Sequence, residues 1–273
     1  MNINLDVIVK SNAYEIDMQY GLDTLKGTSD VTSIIAESIL KSKVPEKRTH
    51  KSDVRTKLKG TFSGSYGQRF QLEIKSKKLQ SELRKIGNEV FIEVIGYYIS
   101  EAIFVDITEQ LSDEASRVIE ELEHIYEPLM KRLYEPLKEM HKISVNFNQD
   151  VVLNYKKRGF DKKEIVYLNN DTVTQLTETT IQQQVESIKV IITRFNSMTG
   201  NGRFLIKATD TIVSFGFATD LVAVRQQLKK GITENLHQNN GVKVDGREYI
   251  IVNVRKMTLQ NERVIKYLVT GLS

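Results

Sequence analysis

The sequence holds no cysteine and no tryptophan, only three prolines in 273 residues, and no uncharged apolar run approaching the length of a membrane span. Without thiols there are no disulfides, thiolate zinc sites, iron–sulfur clusters or cysteine nucleophiles, and folding needs no oxidising compartment. The most apolar stretch, Val90 to Val105, is interrupted by Glu93 and Glu101, well short of the ~18 residues a bilayer requires. The opening MNINLDVIVKSN reads as a strand, since its apolar part is short and no basic segment precedes it as in a signal peptide. The expectation is a cytoplasmic protein with no membrane partner.

Core material is ample, at 40% hydrophobic residues with 27% charged. At roughly 100–200 residues per domain the length suggests two. Charge is spread unevenly: residues 182–273 carry 13 Lys and Arg against 7 Asp and Glu, whereas residues 1–181 carry 26 against 28. A basic excess confined to one domain points to an anionic partner, although solubility alone can produce it.

Alternation of Ile3, Leu5, Val7 and Val9 predicts an opening strand, and a helical period follows from Asp17 to Leu40, weakened in its middle by Gly27 and Ser29-Asp30. The stretch Lys41 to Lys59 has eight basic residues against two acidic ones and reads as an exposed connector, in which a charge run is more often solvated than phosphate-binding. Val54 to Phe62 and Gln68 to Lys75 form a hairpin across GSYG. A helical face through Leu79, Leu83 and Ile86 ends near Gly87, and a more apolar helix covers Glu89 to Val105.

From Ser112 to Met140 a helical period runs through a repeated YEPL, and its Pro128 and Pro136 predict a kink or a new first turn. This region reads as a bent helix, or as a surface for a partner or a second copy. A further hairpin, Val151–Tyr155 with Glu164–Leu168, turns at RGFDKK. The polar run NNDTVTQLTETTIQQQ reads as a linker or a short capped helix. The domains are therefore placed at 1–170 and 184–273, with residues 171–183 between them.

The last ninety residues give strand, strand, strand, helix, strand, strand, which is the element order of the OB-fold. The expected class is α+β: a small antiparallel sheet with long helices, then a five-stranded OB-like barrel with one helix. In such a barrel the turns Asn196 to Gly202 and Thr258 to Glu262 flank the binding face. Arg194, Arg203, Arg255, Lys256 and Arg263 lie near them as phosphate contacts, with Tyr249 and Tyr267 as stacking groups. Alternation sends about half the rings inward, so Phe195, Phe204, Phe215 and Phe217 are assigned to the core.

The glycine-rich TGNGRF does not fit a nucleotide loop, because Arg203 and a strand follow where a lysine, a hydroxyl residue and a helix are required. Asn-Gly is instead a hairpin signal. Asp53 with Glu73-Ile74-Lys75 mimics the two carboxylates and lysine of metal-dependent nucleases, but Glu-x-Lys is also an ordinary outward strand face. Glu121 and His124 form a lone Glu-x-x-His, and the four histidines lack metal-ligand spacing and read as surface or helix-face residues. No cofactor is implied by any motif.

YEIDMQYGLDTLKG after the first strand, FNSMTGNGRF, and the closing RVIKYLV together resemble uncharacterised bacterial two-domain proteins associated with mobile elements and anti-phage defence. The resemblance implies a prokaryotic cytoplasmic setting and assigns no catalytic residue. The function expected is non-enzymatic binding of single-stranded nucleic acid or a protein partner, with a nuclease at Asp53, Glu73 and Lys75, or a structural subunit of a complex, as alternatives.

Overall fold

A computed structural model describes residues 1–11, 15–62, 66–103, 105, 111–157, 162–177, 179–197, 200–243, 246–259, 262 and 264–273. The chain forms two compact units, Met1–Thr177 and Glu178–Ser273. No helix among the described residues is long and apolar enough to cross a membrane.

The first unit is built on an antiparallel sheet of β1 (Asn2–Val9), β2 (Val54–Phe62), β3 (Tyr66–Ile74), β4 (Val151–Lys156) and β5 (Lys162–Leu168), in the order β2-β3-β1-β4-β5. Alternation sends Ile3, Leu5, Val7 and Val9 of the central strand into a core shared with the helices. Asn4 and Asp6 take the other face, opposite Gln71 and Arg69 of β3.

Helix α1 (Met18–Lys41) starts where the Asp17 carboxylate accepts the Tyr20 amide at 3.0 Å, and it runs through Gly27 and Ser29-Asp30 without a break. Gly27 is a contact, since a Cβ there would lie 2.2 Å from the Met140 backbone nitrogen of α5 (Tyr126–Met140). The two helices cross at that glycine. From Val31 to Leu40 every residue of α1 is buried, because the sheet and the neighbouring helices both cover it. Helices α2 (Lys77–Ile86) and α3 (Asn88–Ala102) extend the layer, and α3 buries Phe91, Ile95, Tyr98 and Ile99.

The helix expected from Ser112 to Met140 is two helices. α4 (Asp113–Glu121) ends at Leu122, a 3-10 turn covers Glu123–Ile125, and α5 follows. Pro128 falls in the first turn of α5, where its missing N–H is tolerated, and Pro136 sits inside the helix. The periodicity is continuous because Leu129, Leu133, Leu137 and Met140 are all fully buried.

Two further readings change, those of His141 and of the basic connector, while residues 171–183 take the capped-helix alternative. α6 (Lys142–Phe147) follows His141, which is fully buried rather than surface-exposed. Nearby, residues 171–183 hold most of α7 (Asn170–Thr177), capped by the Asn169 side chain on the Thr172 amide, and then β6 (Thr179–Ile181). The basic connector is partly folded into the core: Arg48 reaches Asp30 at 3.3 Å and the Val54 carbonyl at 3.0 Å, beside the buried Glu37. The tips of the two expected hairpins, residues 63–65 and 158–161, lie outside the described residues.

In the second unit β7 (Glu186–Phe195), β8 (Gly202–Ile206) and β9 (Thr211–Phe217) form an antiparallel meander. A 3-10 turn at Leu221–Ala223 precedes α8 (Gln226–Asn239), and β10 (Ile250–Leu259) and β11 (Val264–Leu272) follow. β9 pairs parallel with β11, β11 antiparallel with β10, and β10 antiparallel with β7, which closes a five-stranded barrel. The helix after the third strand and the parallel third-to-fifth pairing make the barrel OB-like. β6 hangs on β10 outside the closed ring.

Phe204 and Phe215 are fully buried and stacked with centroids 5.1 Å apart, and Ile232 of α8 closes the core. Burying rings of this size contributes about 1.5–3 kcal/mol each. Two asparagines of α8 then tie the barrel together. Asn235 accepts the Ile192 amide at 2.9 Å and donates to the Glu248 carbonyl at 2.8 Å, while Asn239 accepts the Glu248 amide at 2.7 Å.

Candidate nucleic-acid interface

The opening turn of the barrel, between β7 and β8, is closed by two backbone hydrogen bonds of 2.8 Å, Gly200 N–H to the Asn196 carbonyl and Asn196 N–H to the Asn201 carbonyl. Gly200 has φ +76°, which the turn requires and a β-carbon would strain. At Gly202 a β-carbon would collide with the Arg194 carbonyl at 2.4 Å and with the Phe215 ring. The glycines are therefore geometric, but Asn201-Gly202 is not the two-residue turn that an Asn-Gly signal predicts: of the three residues Gly200, Asn201 and Gly202 only Gly200 has positive φ, and Gly202 already belongs to β8. Met198 and Thr199 lie outside the described residues. Asn201 reaches over Gly216 of β9, and its Oδ1 accepts from Lys266 of β11 at 2.9 Å.

Past this turn the β7–β8 ladder has one bulge, with Ile192 opposite Phe204 and Arg194 opposite Arg203, so Thr193 is the extra residue. Phe204 points into the core, which sends Arg203 and its partner Arg194 outward. Ser214 of β9 continues that outer row. Four residues along β8, about 13 Å away at the strand rise, the Lys207 amide bonds the Lys189 carbonyl at 2.9 Å and sets those lysines opposite each other. Both ammonium groups lie over the Tyr249 ring, Lys207 at 5.1 Å and Lys189 at 5.9 Å from its centroid. Leu205 and the half-exposed Ile212 lie between the two cationic pairs.

The other sequence candidates fall elsewhere. Tyr267 is 7% exposed and packs its ring 5.4 Å from Phe204, so it belongs to the core rather than to a stacking surface. Burial pushes its hydroxyl above the usual tyrosine range, with Lys256 opposing the shift and Glu186 adding to it. Lys256 faces Tyr267 across the ladder and is held by Glu186 at 2.8 Å. Its charge is already matched within the barrel. Arg255 opposes Leu268, with its Nε buried and without a hydrogen-bond partner. Arg263 lies outside the described residues.

The three residues that mimic a nuclease centre are each tied into the first unit. Glu73 bonds Lys57 at 2.7 Å, which holds its carboxyl below the usual carboxylate range, and Asp53 bonds Lys41 at 3.2 Å. Lys75 donates its amide to the Asp53 carbonyl at 2.8 Å, an ordinary sheet-edge bond. Among the described residues no group of three His, Asp or Glu side chains is placed to hold a metal ion.

Lys189 and Lys207 were not singled out from sequence, and the turn alone does not pair them: the register that sets Phe195 opposite Gly202 would place Lys189 opposite Ala208, and the bulge at Thr193 moves Lys207 into that position. Lys266 and Asn201 meet only through the parallel β9–β11 closure. No family model, curated protein or solved structure matches the chain.

Proposed function

We propose that the barrel binds single-stranded nucleic acid along the outer surface of β7 and β8, without catalysing a reaction. The observation that carries this reading is the pair of like-charged cross-strand contacts, Arg194 with Arg203 and Lys189 with Lys207, on one ladder of an OB-like barrel. A phosphate backbone laid along the ladder meets a cationic pair at each end, and it relieves the like charges of Lys189 and Lys207, which stand directly opposite each other. Tyr249 is the ring at one end of the path, and the apolar Leu205 and Ile212 sit where bases would cross it. A place in a bacterial mobile-element or defence system agrees with this reading.

The test is fluorescence anisotropy of the full chain with a labelled single-stranded oligonucleotide, titrated from about 50 to about 200 mM salt. Four neutralised phosphates give a slope of log K against log salt of about −2.8, and removing either cationic pair by glutamine substitution lowers its magnitude by about 1.4. Unchanged affinity and slope in both double variants would end the proposal. Binding of a protein partner instead, with no oligonucleotide affinity at low salt, would also refute it.

A further inference from the structure

The first unit carries 26 Lys and Arg against 27 Asp and Glu over residues 1–177, yet the open face of its sheet is not neutral. A cavity of about 350 Å³ on that face is lined by Lys59, Arg69, Lys156 and Lys157, with Asn4, Gln71 and Asp6 between them. That volume is in the range of small-ligand sites.

Each cation is brought there by a definite feature of the sheet. β2 has a bulge between Leu58, opposite Phe70, and Gly60, opposite Arg69, so Lys59 is the extra residue and is turned toward the polar face. Arg69 stands opposite Asp6 in register, and its guanidinium carbon is 5.1 Å from the centroid of the Phe62 ring. Lys162 occupies the same ring at 4.6 Å and pairs with Asp6 at 2.9 Å. The Asp6 carboxylate is 1% exposed and its charge is therefore used inside the sheet.

Lys156 faces Lys162 across the β4–β5 ladder, another like-charged pair, and Lys157 reaches Glu89 at 3.3 Å. Among the described residues no carboxylate lies within ion-pair distance of Lys59, Arg69 or Lys156. Three cations from three strands converge on one cavity whose only carboxylate among the described residues is already paired with Lys162. Their mutual repulsion is relieved by an anion with several acceptor oxygens, and the carboxamides of Asn4 and Gln71, bonded to each other at 2.8 Å, border the same space.

We propose that this cavity is a phosphate-binding site, taking the phosphate of a free nucleotide or of a nucleic-acid backbone, separate from the barrel ladder. Arg69 supplies the planar fork and Lys59 and Lys156 the flanking point charges.

The test uses the full chain and three probes at low salt: inorganic pyrophosphate, a nucleoside diphosphate, and a single-stranded oligonucleotide. The variants are Arg69→Gln, Lys156→Gln, and the barrel double variant Arg194→Gln with Arg203→Gln, each checked for native circular dichroism. The expected result is that a diphosphate shifts amide resonances of Leu5, Phe70 and Gln71, and that its affinity falls at least tenfold in Arg69→Gln or Lys156→Gln but not in the barrel variant. A diphosphate response assigns the site to free nucleotides. A tenfold loss confined to the oligonucleotide assigns it to the backbone of a nucleic acid. If no probe loses affinity in folded Lys156→Gln and Arg69→Gln, the site does not exist, whatever the barrel variant does.

Discussion

His141 is the buried group whose protonation state most constrains the first unit. Its Nδ1 lies 2.6 Å from the Leu137 carbonyl and its Nε2 lies 2.9 Å from the Thr172 hydroxyl. A carbonyl only accepts, so Nδ1 carries the proton and a neutral ring leaves Nε2 as an acceptor facing the Thr172 hydroxyl, whose one hydrogen has the Asn169 carbonyl at 2.8 Å as its other acceptor. Burial lowers the imidazole from its usual 6.5 to about 4, with the Leu137 bond opposing the shift. The unfolded chain therefore takes up a proton below pH 6.5, whereas the folded chain does so only near pH 4. Stability is unaffected above that window and falls as pH falls through it.

The full separation is worth about 3 kcal/mol at 1.36 kcal/mol per unit, and about 2 kcal/mol of it is lost by roughly pH 5. The assay is urea unfolding at roughly pH 7.5 and pH 5, followed by hydrogen exchange in α5 so that only the first unit is read. Replacing His141 by Gln removes the titrating group while carboxylates titrate equally in both proteins. Wild type is expected to lose about 2 kcal/mol more than His141→Gln between those conditions. Equal losses, or a nitrogen spectrum showing Nε2 protonated at neutral pH, would refute the assignment.

Gly27→Ala forces a methyl against the Met140 backbone and is expected to destabilise the first unit by about 1–3 kcal/mol in the same urea assay, leaving the barrel's exchange unchanged. Asn235→Ala leaves the Ile192 amide without its acceptor at the bulge, and barrel stability should drop by about 1–3 kcal/mol, read by exchange in β7. Lys256→Gln is expected to change oligonucleotide affinity far less than the Arg194 and Arg203 pair, because Glu186 already neutralises that lysine. Anisotropy at low salt checks the ranking.

The barrel was legible because its strands are short, alternate cleanly and are separated by turn residues such as Asn and Gly, so element order alone carried the topology. The ends of helices were less so. Leu122, Ile125 and Leu129 keep a helical period across the α4–α5 break, since a 3-10 turn advances the chain without moving the apolar face. Gly27 read as a weak point in a helix because sequence shows the lost propensity and not the backbone of α5 that fills the space.

Side-chain fate was the least legible part. Tyr267 and Lys256 alternate like surface residues near a loop, yet the bulges in the β10–β11 ladder set which face each one takes. A bulge shifts every later residue by one place, and the same effect turns Lys59 toward the sheet's polar face and keeps Arg194 outward. Sequence alone determined the strands, the turns, the charge asymmetry and the absence of thiol chemistry, because those depend on local pattern and composition. Only tertiary structure decided that His141 is neutral and buried, that Glu73 and Asp53 are each held by a different lysine, and that Lys59, Arg69 and Lys156, distant in the chain, line one cavity. Those outcomes depend on register and burial, which arise from pairing between segments far apart.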